Sequence, residues 1–193
     1  MNRLSTPMKE HKRMIIKERA GQLGHIDTHS LSKDLVLADG KRRYLVSVID
    51  DYSRVAWAEM VHDITSMTVM FSALRMMNIL KVNYNIQFEE MLTDNGPEFG
   101  IRTSQQKDQH PFERMLMEMG VKHRYTRPYR PQTNGKIERF WRTLNEDLIE
   151  GTTFETEEEF KKELEQYIYY YNTERPHQAL GSKTPLQQLQ NQS

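Results

Sequence analysis

The chain of 193 residues carries 27 Lys and Arg against 27 Asp and Glu, with seven His, no Cys and 37% hydrophobic residues. That length suits one compact domain with a real core, and the lack of cysteine rules out a disulfide framework, thiolate metal sites and a cysteine nucleophile. No apolar run approaches the roughly 18 residues of a membrane span, and residues 1–13 lack the apolar centre of a signal peptide, so a soluble, cytoplasmic protein is expected.

A first strand is expected over 22–31, followed by turn chemistry at Ala38-Asp39-Gly40. The apolar run 44–49 reads as a strand buried on both faces, and 55–60 as a third strand. Residues 65–81 show helical spacing, with apolar side chains at 70, 74, 77 and 80. Strand returns over 87–93, helix over 112–119 and a short strand over 121–125. Beyond the Pro-rich loop 129–135, helical spacing resumes at Ile137, Phe140, Trp141, Leu144 and Leu148. A last long helix opens at Thr156-Glu157-Glu158-Glu159, a capping-box pattern, carries Phe160, Leu164, Tyr167 and Tyr171 on one stripe, and stops near Pro176. Consecutive strands followed by strand–helix alternation imply an α/β fold, a mixed sheet with helices on both faces. The organisation expected is a basic arm over 1–20, a core over 21–175 and a tail with a short helix over 176–193.

Neutrality hides two opposed charge blocks. Residues 122–142 hold seven basic side chains and one acid, whereas 143–166 hold nine acids and two lysines. The first block could follow a phosphate backbone, and the second reads as a solvated helix face.

Three acids are notable for their positions. Asp27 lies in the first strand, Asp94 ends the fourth, and Glu138 opens a helix. Each alone could be a loop-capping residue. If the first and fourth strands are parallel neighbours, however, Asp27 and Asp94 emerge at one edge, where ligands bind in such sheets. Carboxylates about 5 Å apart repel by roughly 3 kcal/mol at an effective dielectric of about 20, so a cluster would call for a cation. Oxygen donors favour Mg²⁺ or Mn²⁺, and a pair of such ions serves phosphoryl transfer. On the helix, Arg142 stands one turn after Glu138, where it could pair with that acid or reach a DNA phosphate.

Other polar groups have plainer readings. Asp50 and Asp51 point to opposite faces and read as loop-forming residues. His25, Asp27 and His29 share a face, but no further ligand motif completes a zinc site, and the two histidines read as neighbours tuning the acid. Within 127–135 the expected DNA contacts are Arg127, Arg130, Gln132 and Asn134, joined by Lys136 and Arg142 on the following helix. Tyr167 and Tyr171 read as core, Tyr169 and Tyr170 as surface or subunit contacts. Methionines at 70, 76, 77, 115, 117 and 119 read as gap-filling core.

The segments HIDTHSL, YLVSVIDDYSRVAWAEM, LTDNGPEF, TRPYRPQTNGKIERFWRTL and YNTERPHQALGSKTPLQQL resemble the catalytic core of DDE transposases of the retroviral-integrase superfamily, nearest the IS481-like bacterial insertion-sequence group. The resemblance implies an RNase H-like fold with a five-stranded sheet. It further implies that Asp27, Asp94 and Glu138 are catalytic and hold two Mg²⁺ ions, with Mn²⁺ as a substitute. DNA ends would be nicked and joined to target DNA by a homodimer or higher oligomer, in bacterial cytoplasm and on the nucleoid when acting. A metal-dependent nuclease and a non-catalytic DNA-binding or assembly domain are the alternatives. Two departures stand out: 43 residues separate Asp94 from Glu138, more than is usual in the family, with the surplus placed in the polar stretch 100–111. No helix-turn-helix region precedes the first strand, so a fragment is one reading.

Overall fold

Side-chain alternation along the second strand sorts the core into two halves. On β2 (Tyr44–Asp50), Val46 and Val48 enter one hydrophobic cluster while Leu45 and Ile49 enter another on the opposite face. The computed structural model describes residues 17–36, 40–100, 105, 107–126 and 135–191. Residues 1–16 of the arm expected over 1–20 and Ala38-Asp39 of the expected turn lie outside these residues. The remaining strands are β1 (Gly24–Ser30), β3 (Ala56–Val61), β4 (Glu90–Thr93) and β5 (Lys122–Tyr125). They form one sheet in the order β3-β2-β1-β4-β5. β1 pairs antiparallel with β2 and β2 with β3, while β1–β4 and β4–β5 are parallel.

Helices α1 (Ser66–Tyr84) and α2 (Pro111–Glu118) cover one face, and α3 (Gly135–Leu144) and α4 (Glu157–Thr173) the other. A π-helical turn, Asn145–Ile149, follows α3, and a short helix, α5 (Pro185–Gln190), lies beyond α4. Ile26, Val46, Val48, Met76, Leu80, Phe99 and Phe112 are among the fully buried side chains of the first cluster. Leu45, Ile49, Ile137, Leu144 and Phe160 anchor the second. Each such side chain stabilises the fold by about 1.5–3 kcal/mol relative to exposure.

Helix ends follow local chemistry. The Thr65 hydroxyl caps α1 by accepting from Thr68 N, and Asn85 closes it in the left-handed conformation at φ 55°. Thr156 caps α4 by accepting from Glu159 N at 3.1 Å, but the Glu159 carboxylate returns to Glu155 N rather than to the cap residue. The complete capping box belongs instead to α5, between Thr184 and Gln187. Edge strand β3 is closed by Asn172 of α4, whose side-chain amide exchanges hydrogen bonds of 2.9 Å with both Ala56 N and Ala56 O.

Two expectations about packing are corrected. On α1 the buried stripe is Val69, Ala73, Met76, Met77 and Leu80, so Leu74 is exposed with Met67 and Phe71. Met117 and Met119 are likewise exposed rather than core. The reason is the same in both places: methionine-rich helices carry apolar residues on more than one face, and only the neighbouring element decides which is covered. Among the described residues no helix is long and apolar enough to cross a membrane.

Candidate active site

Parallel pairing fixes the relation of the first two acids. β1 and β4 pair with Gly24 opposite Met91 and His25 opposite Leu92. Continued by two residues, this register brings Asp27, midway along β1, level with Asp94, which follows the last residue of β4. Antiparallel β2 covers the other side of Asp27 through Ser47. The acid therefore sits between two strands, close to the edge where loops leave the sheet.

Helix α3 lies over this edge. The Trp141 indole N–H donates to Asp27 Oδ2 at 3.0 Å, and the His29 ring stacks on Trp141 at 5.2 Å. Trp141 is 6% exposed, so its N–H needs a partner, and Asp27 supplies it. Burial pushes the Asp27 carboxyl up to about 6, with the negative charges of Asp94 and Glu98 adding to the rise and the Trp141 hydrogen bond opposing it.

Glu98 is the acid the sequence reading quoted but did not use. It is nearly buried, and its Oε1 accepts from Thr28 Oγ1 at 3.1 Å. A Cβ at Gly96 would come within 2.5 Å of Glu98 Oε2, so a side chain there would push the carboxylate off Thr28. Asp94 is held by its own turn, Oδ1 accepting from Gly96 N at 2.7 Å, while Asn95 Nδ2 donates to Thr126 O at 3.2 Å.

Behind Asp94 runs a buried polar chain. Thr93 Oγ1 donates to Asp94 O at 2.7 Å and meets His123 Nε2 at 2.9 Å. His123 Nδ1 lies 2.9 Å from Glu113 Oε2, and Tyr125 O–H donates to Glu113 Oε1 at 2.5 Å. Because the threonine hydroxyl gives its proton to Asp94 O, it meets His123 Nε2 as acceptor, while the second ring nitrogen faces Glu113. Burial lowers the His123 pKa. This network fixes the backbone that carries Asp94.

Glu138 is placed differently. It lies on α3 one turn before Trp141 and roughly 60° round the axis, is exposed, and forms no hydrogen bond or ion pair among the described residues. Arg142 is also exposed, with no ion pair to Glu138. Lys136 points to protein instead: its Nζ is 2.5 Å from Asp51 Oδ2 and donates to Asp51 O at 3.2 Å. Asp51 Oδ1 in turn accepts from His25 Nε2 at 2.7 Å. His25 therefore serves Asp51, while His29, through Trp141, stands nearer Asp27. Asp50 is loop-forming as expected, accepting from Gly21 N, Ser53 N and Ser53 Oγ. Arg127, Arg130, Gln132 and Asn134 lie outside the described residues. The residues that sequence reasoning missed are Trp141, Glu98, Asp51 and Glu113. A tryptophan on an apolar stripe with a polar N–H to satisfy was the one available signal.

The donor chemistry suits a hard divalent cation. A carboxyl pushed up to about 6 by burial and negative neighbours is relieved by a positive ion. Among the described residues no group of three or more His, Asp or Glu stands close enough to hold one. Asp27 and Asp94 stand at one edge of the sheet, with Glu138 on the adjoining helix flank.

The integrase core domain family matches residues 18–131, and a second description of an integrase core domain matches residues 119–185. The chain is 26% identical over 188 residues to the putative integrase ORF3 of Spiroplasma virus SpV1-C74, covering 95% of this chain and 51% of that protein. It is 36% identical over 75 residues to the transposase for insertion sequence element IS904 of Lactococcus lactis, covering 38% of this chain and 30% of that protein. It thus spans about half the length of the first relative and less of the second. Among solved structures it is similar to the HTLV-2 integrase catalytic core domain in complex with magnesium, with TM-score 0.55 and 16% identity over 88% of this chain and 96% of that one. It is also similar to a chain of the simian T-cell lymphotropic virus intasome bound to PP2A regulatory subunit B56 gamma, with TM-score 0.65 and 17% identity over 97% of this chain and 61% of that one. The shared fold is the RNase H-like fold of retroviral integrase cores. With one of the two matches covering more than half its length, the chain belongs to the integrase core domain family.

Proposed function

We propose that the chain is the catalytic core of a DNA transposase or integrase, working by metal-dependent end nicking and strand transfer. The observation that carries this reading is the β1–β4 register, which when continued brings Asp27 level with Asp94, whose negative charge adds to the rise of the Asp27 carboxyl's pKa. Asp27 and Asp94 would hold Mg²⁺, or Mn²⁺ in its place, as a pair of ions completed by Glu138. Such ions supply an activated attacking oxygen and a stabilised leaving oxygen.

The chain's own residues prepare that site. Trp141 and the Thr28 backbone N–H donate to the Asp27 carboxylate and orient it, while the Gly96 amide and the Thr93–His123–Glu113 chain orient Asp94. In the first step water attacks a phosphodiester and a 3′-OH leaves. In the second that 3′-OH attacks a target phosphodiester, one P–O bond forming as another breaks. Arg127, Arg130, Gln132, Asn134 and Arg142 would hold the DNA, and action on DNA places the protein on a bacterial nucleoid.

The test is a branched oligonucleotide with a 3′-OH beside a cleavable phosphodiester, incubated with Mn²⁺. Strand exchange by the parent and a loss of about 100-fold or more in Asp27→Asn, Asp94→Asn and Glu138→Gln is expected. Hydrolysis without exchange would indicate a nuclease, and unchanged activity in Asp94→Asn would overturn the assignment. Joining two DNA ends requires two cores, so the active form is a homodimer or larger. Gel filtration with end DNA should show it, and a DNA-bound monomer would refute it.

A further inference from the structure

Asp51 is 3% exposed and follows the last residue of β2. Its backbone N–H donates to Leu23 O at 2.9 Å, just before β1. Its carboxylate accepts from His25 on one oxygen and meets Lys136 on the other. These two partners have matching positions: His25 precedes Asp27 by two residues on the same face of β1, and Lys136 precedes Glu138 by two residues in the first turn of α3. One buried side chain therefore ties together the strand and the helix that hold the two acids. His25 is 2% exposed and its Nδ1 has no hydrogen-bond partner. Nε2 is the ring nitrogen turned towards Asp51. Lys136 supplies positive charge to Asp51 at contact distance, and the Arg54 guanidinium adds to it.

We propose that Asp51 is a positioning residue for the reaction, its buried carboxylate clamping α3 to β1 so that Glu138 and Asp27 keep one spacing. The inference rests on the assignment of Glu138 as a catalytic acid. It also gives Lys136 a different task from the DNA contact expected of it: the ammonium is turned into the protein, and its charge is answered there. Loss of the clamp would leave each acid intact while letting the helix drift, and misplacement of about 1 Å at a reacting centre can lower a rate about 100-fold.

The experiment compares Lys136→Met, Lys136→Arg, Asp51→Asn and the double variant Asp51→Asn/Lys136→Met with the parent and with Glu138→Gln, on the branched oligonucleotide with Mn²⁺. Circular dichroism and thermal melting check the fold of each. The double variant matters because it removes both charges, whereas either single change strands one buried partner. Expected are a turnover at least about tenfold lower in Lys136→Met and in the double variant, an unchanged oligonucleotide affinity, a weaker Mn²⁺ affinity by electron paramagnetic resonance, and recovery in Lys136→Arg. A folded double variant turning over within twofold of the parent overturns the clamp, as does weakened DNA affinity with unchanged turnover, which would return Lys136 to phosphate binding. Failure of all the clamp variants to fold would make Asp51 a folding residue and overturn it too. Activity in Glu138→Gln would instead sink the catalytic reading itself, so the two failures are distinguishable.

Discussion

Asp27 is held at a site where its charge is unfavourable. Its carboxyl is pushed from an ordinary 3.8 to about 6, chiefly by burial, which corresponds to about 1–3 kcal/mol against the folded state at pH 7. The sign follows from which state binds the proton more tightly. The folded protein does, so the penalty is fully present above pH 6 and fades as pH falls towards 4. Asp27→Asn keeps an oxygen that can accept from Trp141 and removes the charge. Urea denaturation at pH 7 should find this variant more stable than the parent by about 1–3 kcal/mol, with the gap narrowing at pH 5 and Mn²⁺ stabilising only the parent. A variant less stable at pH 7 would contradict the assigned burial cost. The places of Asp27 in β1 and of Asp94 after β4 were legible in sequence because an extended run and a tight Asn-Gly turn mark them. The pairing of Lys136 with Asp51 had no such mark, because a charge run does not tell which of its members turn inward.

The elements were read more completely than their faces. All five strands and the main helices fall within a few residues of where period and punctuation put them, since β-branched runs and Thr caps act locally. Helix α1 shows the limit: 19 residues with apolar side chains round much of the circumference allow two stripes. Packing against β2 and α2 selected Val69, Ala73, Met76 and Met77, leaving Met67, Phe71 and Leu74 outside. Helix α3 shows the same ambiguity at the site. Its stripe of Ile137, Phe140, Trp141 and Leu144 is buried as the spacing implied, yet the residue it presents to Asp27 is Trp141 rather than Glu138. Periodicity gives the angle between two side chains on a helix but not the depth at which the helix docks. The π-helical turn at Asn145–Ile149, closed by Glu150 N donating to Asn145 O at 2.7 Å, also had no sequence signal, because Leu148 fits the continuing α-helical period.

At the scale of the whole molecule the basic block offers fewer free charges than its count. Lys122 and Arg124 both pair with Glu90, joined there by Lys17. Glu90 begins β4, so this corner lies about 13 Å along the strand from Asp94. Lys136 is turned towards Asp51. On the described surface near the acids, the cations left for phosphate are Arg139 and Arg142, both exposed; Arg127 and Arg130 belong to the same basic stretch. Nine acids lie in 143–166, five of them on α4, and their negative charge would keep bound DNA off that helix. Four phosphate contacts would give a plot of log affinity against log salt a slope of about −3.6 on duplex DNA, and seven about −6.3. We expect the shallower value, measured by fluorescence anisotropy between 50 and 200 mM salt, two settings at which such slopes are commonly compared. Arg142→Ala should reduce the slope by about 0.9 and weaken all duplexes alike, whereas Lys136→Met should leave it unchanged. A slope near −6 in the parent would mean that the Glu90 corner touches DNA after all, and that the bound duplex runs the full length of the sheet instead of crossing its acidic edge.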